Sequence, residues 1–143
     1  VYSVLKVKEK PLKLATFPIK KNSFDVLSLV YESRSIDFSS KRIGDRILLR
    51  MVIDRGTHDI FIRYLGTDTY EHDEFGEIEC YVFSPLLVEG SIFKAGEGMK
   101  VWVSKDNNRI PIFIESEIRV GTIRSELIEY SGLRFPLGSK SRN

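Results

Sequence analysis

Three arginines stand where two neighbouring strands would offer them together. Arg46 and Arg50 share one phase of GDRILLRMVID with Leu48 and Val52, and Arg63 shares a phase of HDIFIRYLG with Phe61 and Leu65. A guanidinium forks a carboxylate or phosphate through paired N–H donors, while interleaved apolar side chains take hydrocarbon. Such a face suits an amphiphilic lipid or an anionic glycan. Trp102, the single tryptophan, is either a stacking platform beside them or a core ring. The bland alternative is a half-exposed face whose arginines pair across strands with carboxylates such as Glu79 or Glu115.

Other chemistry-bearing residues are weaker candidates. Asp68, Glu71, His72, Asp73 and Glu74 lie within TDTYEHDEFGEIE, where carboxylates and an imidazole would suit a cation, but the spacing matches no EF-hand or zinc pattern. A solvated hairpin tip ending at Gly76 explains the same residues, so no metal site is assigned. His58 sits in a turn and needs no role. Cys80 falls in phase with Ile78 and Val82, as a buried structural thiol does. GxSxG, HExxH, CxxC and glycine-rich phosphate motifs do not occur, so no catalytic residue or cofactor is assigned. A hydrolase remains an alternative if the fold brings together carboxylates such as Asp73 and Glu115.

These residues need strands to hold them. GDRILLRMVID places Ile47, Leu49, Met51 and Ile53 on one face and the arginines on the other, and HDIFIRYLG alternates in the same way, predicting an antiparallel hairpin. EIECYVFSP is a third strand closed by Pro85. MKVWVS and RIPIFIESE form a second hairpin about KDNN, and EIRVGTIRSELIEY carries Gly121 as a bulge or barrel corner in mid-strand. Before them, NSFDVLSLVYESRSIDF reads as a short helix. Asn22 or Ser23 would cap it, Asp25 would sit at its positive end, and Phe24, Leu27, Val30 and Tyr31 would face a sheet.

The 143 residues allow one domain with a real core. With 22 basic against 20 acidic residues and a net charge of +2, the chain lacks the positive field of a nucleic-acid binder. No apolar run approaches the roughly 18 residues of a membrane-spanning helix. The expected fold is all-β: an antiparallel curved sheet or partial β-barrel with one short α-helix near the N-terminus, spanning 1–143, with 131–143 a flexible tail. The lysine-rich start, with Lys6, Lys8 and Lys10 before Pro11, reads as edge strand and loop.

Residues 22–130 supply a more specific pattern. SFDVLSLVYESRSIDF, a Gly-Asp strand, FGEIECYVFSP and then GMKVWVSKDNNRIPIFIESEIRVGTIRSELIEY resemble the DUF3108 family of bacterial envelope proteins of unknown function. The resemblance implies an exported, β-rich protein of the periplasm or cell envelope. It also implies further strands ahead of the helix, making this chain the C-terminal part of a larger barrel-like domain. An open edge near residues 1–10 would then be free to pair with a second copy. The family supplies no catalytic residues to carry over.

Overall fold

The computed structural model describes residues 2–5, 13–16, 18, 20–53, 56–87 and 96–140. β1 (Tyr2–Leu5) and β2 (Lys13–Thr16) form a separate antiparallel ladder. The expected loop around Lys6, Lys8, Lys10 and Pro11 lies outside the described residues. α1 (Val26–Ser33) follows, then β3 (Arg46–Ile53), β4 (Gly56–His72), β5 (Gly76–Pro85), β6 (Met99–Ser104), β7 (Pro111–Glu117) and β8 (Thr122–Glu126). These six strands lie side by side in chain order, each antiparallel to the next, and the short β9 (Ser139–Lys140) pairs with the start of β5.

The protein is therefore mostly β, with one short helix, as the alternating patterns predict. Among the described residues β3 and β8 do not pair, so the sheet is open and does not close into a barrel. Apolar residues on both strand faces serve two clusters on opposite faces rather than a barrel lining. On one face Ile62, Tyr64, Phe83, Val101 and Val103 pack around Phe38, with Ile47, Leu49, Tyr81 and Met99 at the margin. On the other face Ile78, Cys80 and Ile112 pack with Tyr70, Phe75, Trp102 and Leu137.

Phe38 explains why closure is not needed. Only 2 % exposed, it stacks on Phe83 with ring centroids 5.5 Å apart and meets Tyr64 and Tyr81 at 5.7 and 5.5 Å. The segment carrying it lies against that face of the sheet and is fastened by a reciprocal clasp. Arg34 Nη2 and Nε donate to the Asn108 carbonyl at 2.6 and 3.1 Å. Arg109 Nη1 donates back to the Arg34 and Ile36 carbonyls at 3.0 and 2.7 Å.

The helix begins later than expected. Asp25 is its cap, accepting from the Ser28 amide at 3.0 Å and the Ser28 hydroxyl at 2.8 Å. Asn22 and Ser23 cannot serve, because the next residue, Phe24, is still extended and bridged to the edge of β3. Its amide donates to Arg50 O at 2.9 Å and its carbonyl accepts from Val52 N at 2.8 Å. Tyr31 is largely exposed and Val30 nearly half exposed, so the helix face expected to bury them leaves them in solvent.

Two further expectations change. Gly121 is not a mid-strand bend but part of the tight turn joining β7 to β8, closed by Ile118 N donating to Gly121 O at 3.1 Å. Its φ of +96° suits a hairpin loop, where positive φ matches the strand twist. The bulges lie elsewhere, between Tyr64 and Gly66 on β4 and at the Trp102/Val103 step of the β6–β7 ladder. At Gly66, with φ +109°, the backbone conformation favours glycine, and an added Cβ would also press on Ile43 Cδ1 at 3.1 Å.

Residues 131–140, expected as a flexible tail, run back along the sheet. Asn108 receives the Phe135 amide at 3.0 Å and donates to the Phe135 carbonyl at 2.9 Å. β9 then occupies the edge of β5 at Glu77 and Ile78, beside the stretch Cys80–Phe83 that β6 covers.

Candidate binding surface

The β3–β4 register sets Arg46 opposite Arg63, Leu48 opposite Phe61 and Arg50 opposite Asp59. Like charges directly opposed repel, and the local structure answers this in two ways. Arg63 forks Glu97, its Nε 2.5 Å from Oε2 and its Nη2 2.9 Å from Oε1, with a further bond to Gly44 O at 3.3 Å. Arg46 instead lies over the Phe61 ring, its guanidinium carbon 4.5 Å from the centroid, with that of Arg63 5.5 Å away. The hydrogen bond from Arg63 holds the Glu97 carboxyl below its ordinary value, so the pair stays charged. Two guanidinium groups thus share one carboxylate and one ring. Arg46 has no carboxylate within ion-pair distance among the described residues.

Apolar surface borders this surplus charge. Leu48, 80 % exposed, stands opposite half-buried Phe61, and Ile43, 76 % exposed, lies over Gly66. Arg50 belongs to the framework: its Nε bonds Asp59 Oδ1 at 2.7 Å and its Nη1 bonds Lys21 O at 3.0 Å. That hydrogen bond keeps the Asp59 carboxyl below its ordinary value. The carboxylates that pair with these arginines are Asp59 and Glu97, while Glu79 meets Lys105 at 3.6 Å and Glu115 meets Arg124 at 2.8 Å.

Trp102 projects from the same face by register, since it pairs with Val82, two residues from Ser84, the partner of Arg63. With β5 between β4 and β6, it belongs to the second cluster. Its Nε1–H donates to Asp68 Oδ2 at 3.1 Å and its ring tilts against Phe113 at 5.2 Å. The four candidate positions therefore share a face, but the ion-paired Arg50 and Arg63 and the packed Trp102 have structural partners.

The acidic run is divided by its secondary structure. β4 continues through His72, and the hairpin turn is confined to residues 73–75, shorter than the tip expected from Asp68 onward. His72, 4 % exposed, is a bracket for the chain. Its Nδ1 accepts from the Glu74 and Phe75 amides at 3.0 and 3.2 Å, which leaves Nε2 to donate to the Leu127 carbonyl at 2.6 Å. No cluster among the described residues has the makings of a metal site. Nor do the described contacts join Asp73 to Glu115. Burial pushes the Cys80 thiol up to about 12, with the Asp68 and Asp106 charges adding to the effect, which suppresses the thiolate a nucleophile requires.

The β6–β7 loop contains a residue that the sequence reading did not single out. Asp106 accepts from the amides of Asn108, Arg109 and Gly138 at 2.7, 3.1 and 2.9 Å and from the Ser104 hydroxyl at 3.0 Å. Burial alone would raise this carboxyl, but the donors outweigh it and keep it below its ordinary value. Asp in KDNN pointed to a turn; its bond to Gly138, far along the chain, left no local signal. Glu97 was equally invisible, because a carboxylate outside any periodic element reaches Arg63 only through the fold.

Between β7 and β8 lies a shallow apolar depression of about 190 Å³, lined by Ile112, Phe113, Glu126 and Leu127 among others. It is smaller than the roughly 300 Å³ at which small-molecule sites begin. No described helix is long and apolar enough to cross a membrane.

The class of protein is an open antiparallel sheet with Phe38 buried against one face. A family model for DUF3108, a protein family of unknown function, matches residues 1–128. The chain belongs to that family, and the match begins well before the 22–130 stretch whose motifs carried the resemblance. No curated protein and no solved structure matches it.

Proposed function

We propose that this protein is a non-catalytic module of the bacterial cell envelope that holds an anionic amphiphile on the outer face of its β3–β4 hairpin. The observation that carries the reading is the guanidinium of Arg46, which has no carboxylate at ion-pair distance among the described residues, stacked on Phe61 and flanked by the exposed Leu48 and Ile43. A phosphate or carboxylate headgroup would complete the charge that Glu97 only half answers, and its hydrocarbon would cover the leucine and isoleucine. The opposite face is a poor rival, since Phe38 and its cluster are buried there. The envelope setting rests on the family resemblance.

Co-flotation of the full chain with phosphatidylglycerol-containing vesicles, against vesicles of phosphatidylcholine alone, tests the reading. Binding should require the anionic lipid and fall several-fold in Arg46→Ala and in Leu48→Ser, both surface substitutions that spare the core. Equal recovery with both vesicle types, or binding indifferent to both substitutions, would overturn it.

A further inference from the structure

The outer edge of β8 has the properties of a strand awaiting a partner. All five residues, Thr122–Glu126, are exposed, and among the described residues nothing pairs with that edge. The strand contains no lysine, proline or bulge of the kind that guards edges against pairing. Leu127 N donates to Ile112 O, and Ile123 and Ser125 stand opposite Ser116 and Ile114 of β7. By the alternation of an antiparallel ladder, Thr122, Arg124 and Glu126 present their main-chain N–H and C=O groups outward.

We propose that β8 pairs antiparallel with β8 of a second copy of this chain, on a two-fold axis through Ser125. That register sets Ser125 against its symmetry mate, two small side chains that permit close approach. It sets Arg124 of each copy against Glu126 of the other, so opposite charges meet at both ends of the contact. Each Arg124–Glu126 pair also exchanges its outward main-chain hydrogen bonds. A register one residue earlier would oppose Arg124 to Arg124 and is disfavoured by repulsion. Arg124 uses its Nε for Glu115, which leaves its terminal nitrogens for the second copy, and Glu126 takes the Tyr70 hydroxyl on Oε1, which leaves Oε2. The resulting sheet runs without interruption from β3 of one copy to β3 of the other. The contact is short, so the dimer dissociates on dilution.

Sedimentation equilibrium of the full chain over a wide concentration range is the test. The wild-type chain should be a reversible dimer, and Arg124→Glu and Glu126→Arg should each weaken association at least tenfold, because each opposes like charges. An equimolar mixture of the two variants should restore dimers, since opposite charges then meet at both ends. Arg124→Pro provides a second route: it removes an outward N–H, leaves the ladder to β7 intact, and should give monomer with an unchanged far-ultraviolet circular dichroism spectrum. A monomeric wild-type chain, dimers that survive in Arg124→Pro, or folded variants that stay monomeric when mixed would overturn the proposal.

Discussion

At the β3 end of the sheet the chain covers part of its own edge, whereas at the β8 end no described residue pairs with the edge. Phe24 occupies the outer side of β3 with hydrogen bonds to Arg50 and Val52, and the segment after α1 carries Phe38 against one sheet face. At β8 every residue is exposed. An open sheet always has two edges with unpaired backbone groups, and the difference teaches that covering an edge here requires chain beyond the strands. The segment before β3 is long enough to turn back on its neighbour, whereas the tight turn at Gly121 delivers β8 to the rim with no described strand outside it.

The strongest way to break the contrast is to remove the plug. Phe38→Ala should cost about 3–5 kcal/mol, the range for a large aromatic cut from a packed core, read as a lower urea midpoint with similar slope. Next is the polar anchor of the β6–β7 loop. Asp106→Ala leaves part-buried amides of the loop without an acceptor and should cost about 1–2 kcal/mol. The same anchor predicts an acid limb. Because the folded carboxyl sits below its ordinary 3.8, its contribution is complete above about pH 4 and is lost as pH falls through the folded value. Urea titrations between pH 2 and 7 should show a steeper acid decline in the wild-type chain than in Asp106→Asn.

Smaller effects bear on the edges themselves. Phe24→Pro deletes the amide that bonds Arg50 and should cost about 1 kcal/mol, while making β3 newly prone to association in light scattering. Arg124→Pro, at an N–H that faces outward, should change thermal stability by no more than about 0.5 kcal/mol. If the two proline variants lost similar stability, the claim that only one edge is covered would fail.

The strands were legible because period-two alternation survives wherever one face is buried, as Ile60, Ile62 and Tyr64 demonstrate. Cys80 was legible for the same reason. The helix was visible but its cap was not, since a bridge from Phe24 to another strand decided where the helix begins. Phe38 had no periodic neighbour to announce it; its burial is a consequence of where the chain crosses the sheet. The arginine face was read correctly as a face, with Arg46 and Arg63 opposite one another. Which guanidinium would be left over depended on Glu97, a residue of an irregular segment that only the fold brings near.

The clasp between Arg34 and Arg109 has a consequence for how the molecule comes apart. Both guanidinium groups grip peptide carbonyls, so the clasp contains no carboxylate. The surface pairs Arg50–Asp59 and Arg63–Glu97 lose their attraction when the carboxylates take up protons, and salt screens them. The strap over the Phe38 face answers to neither influence directly. Acid below the ordinary carboxylate range, and brine, should therefore loosen the outer rim of the β3–β4 hairpin first, while the buckle beneath it stays fastened.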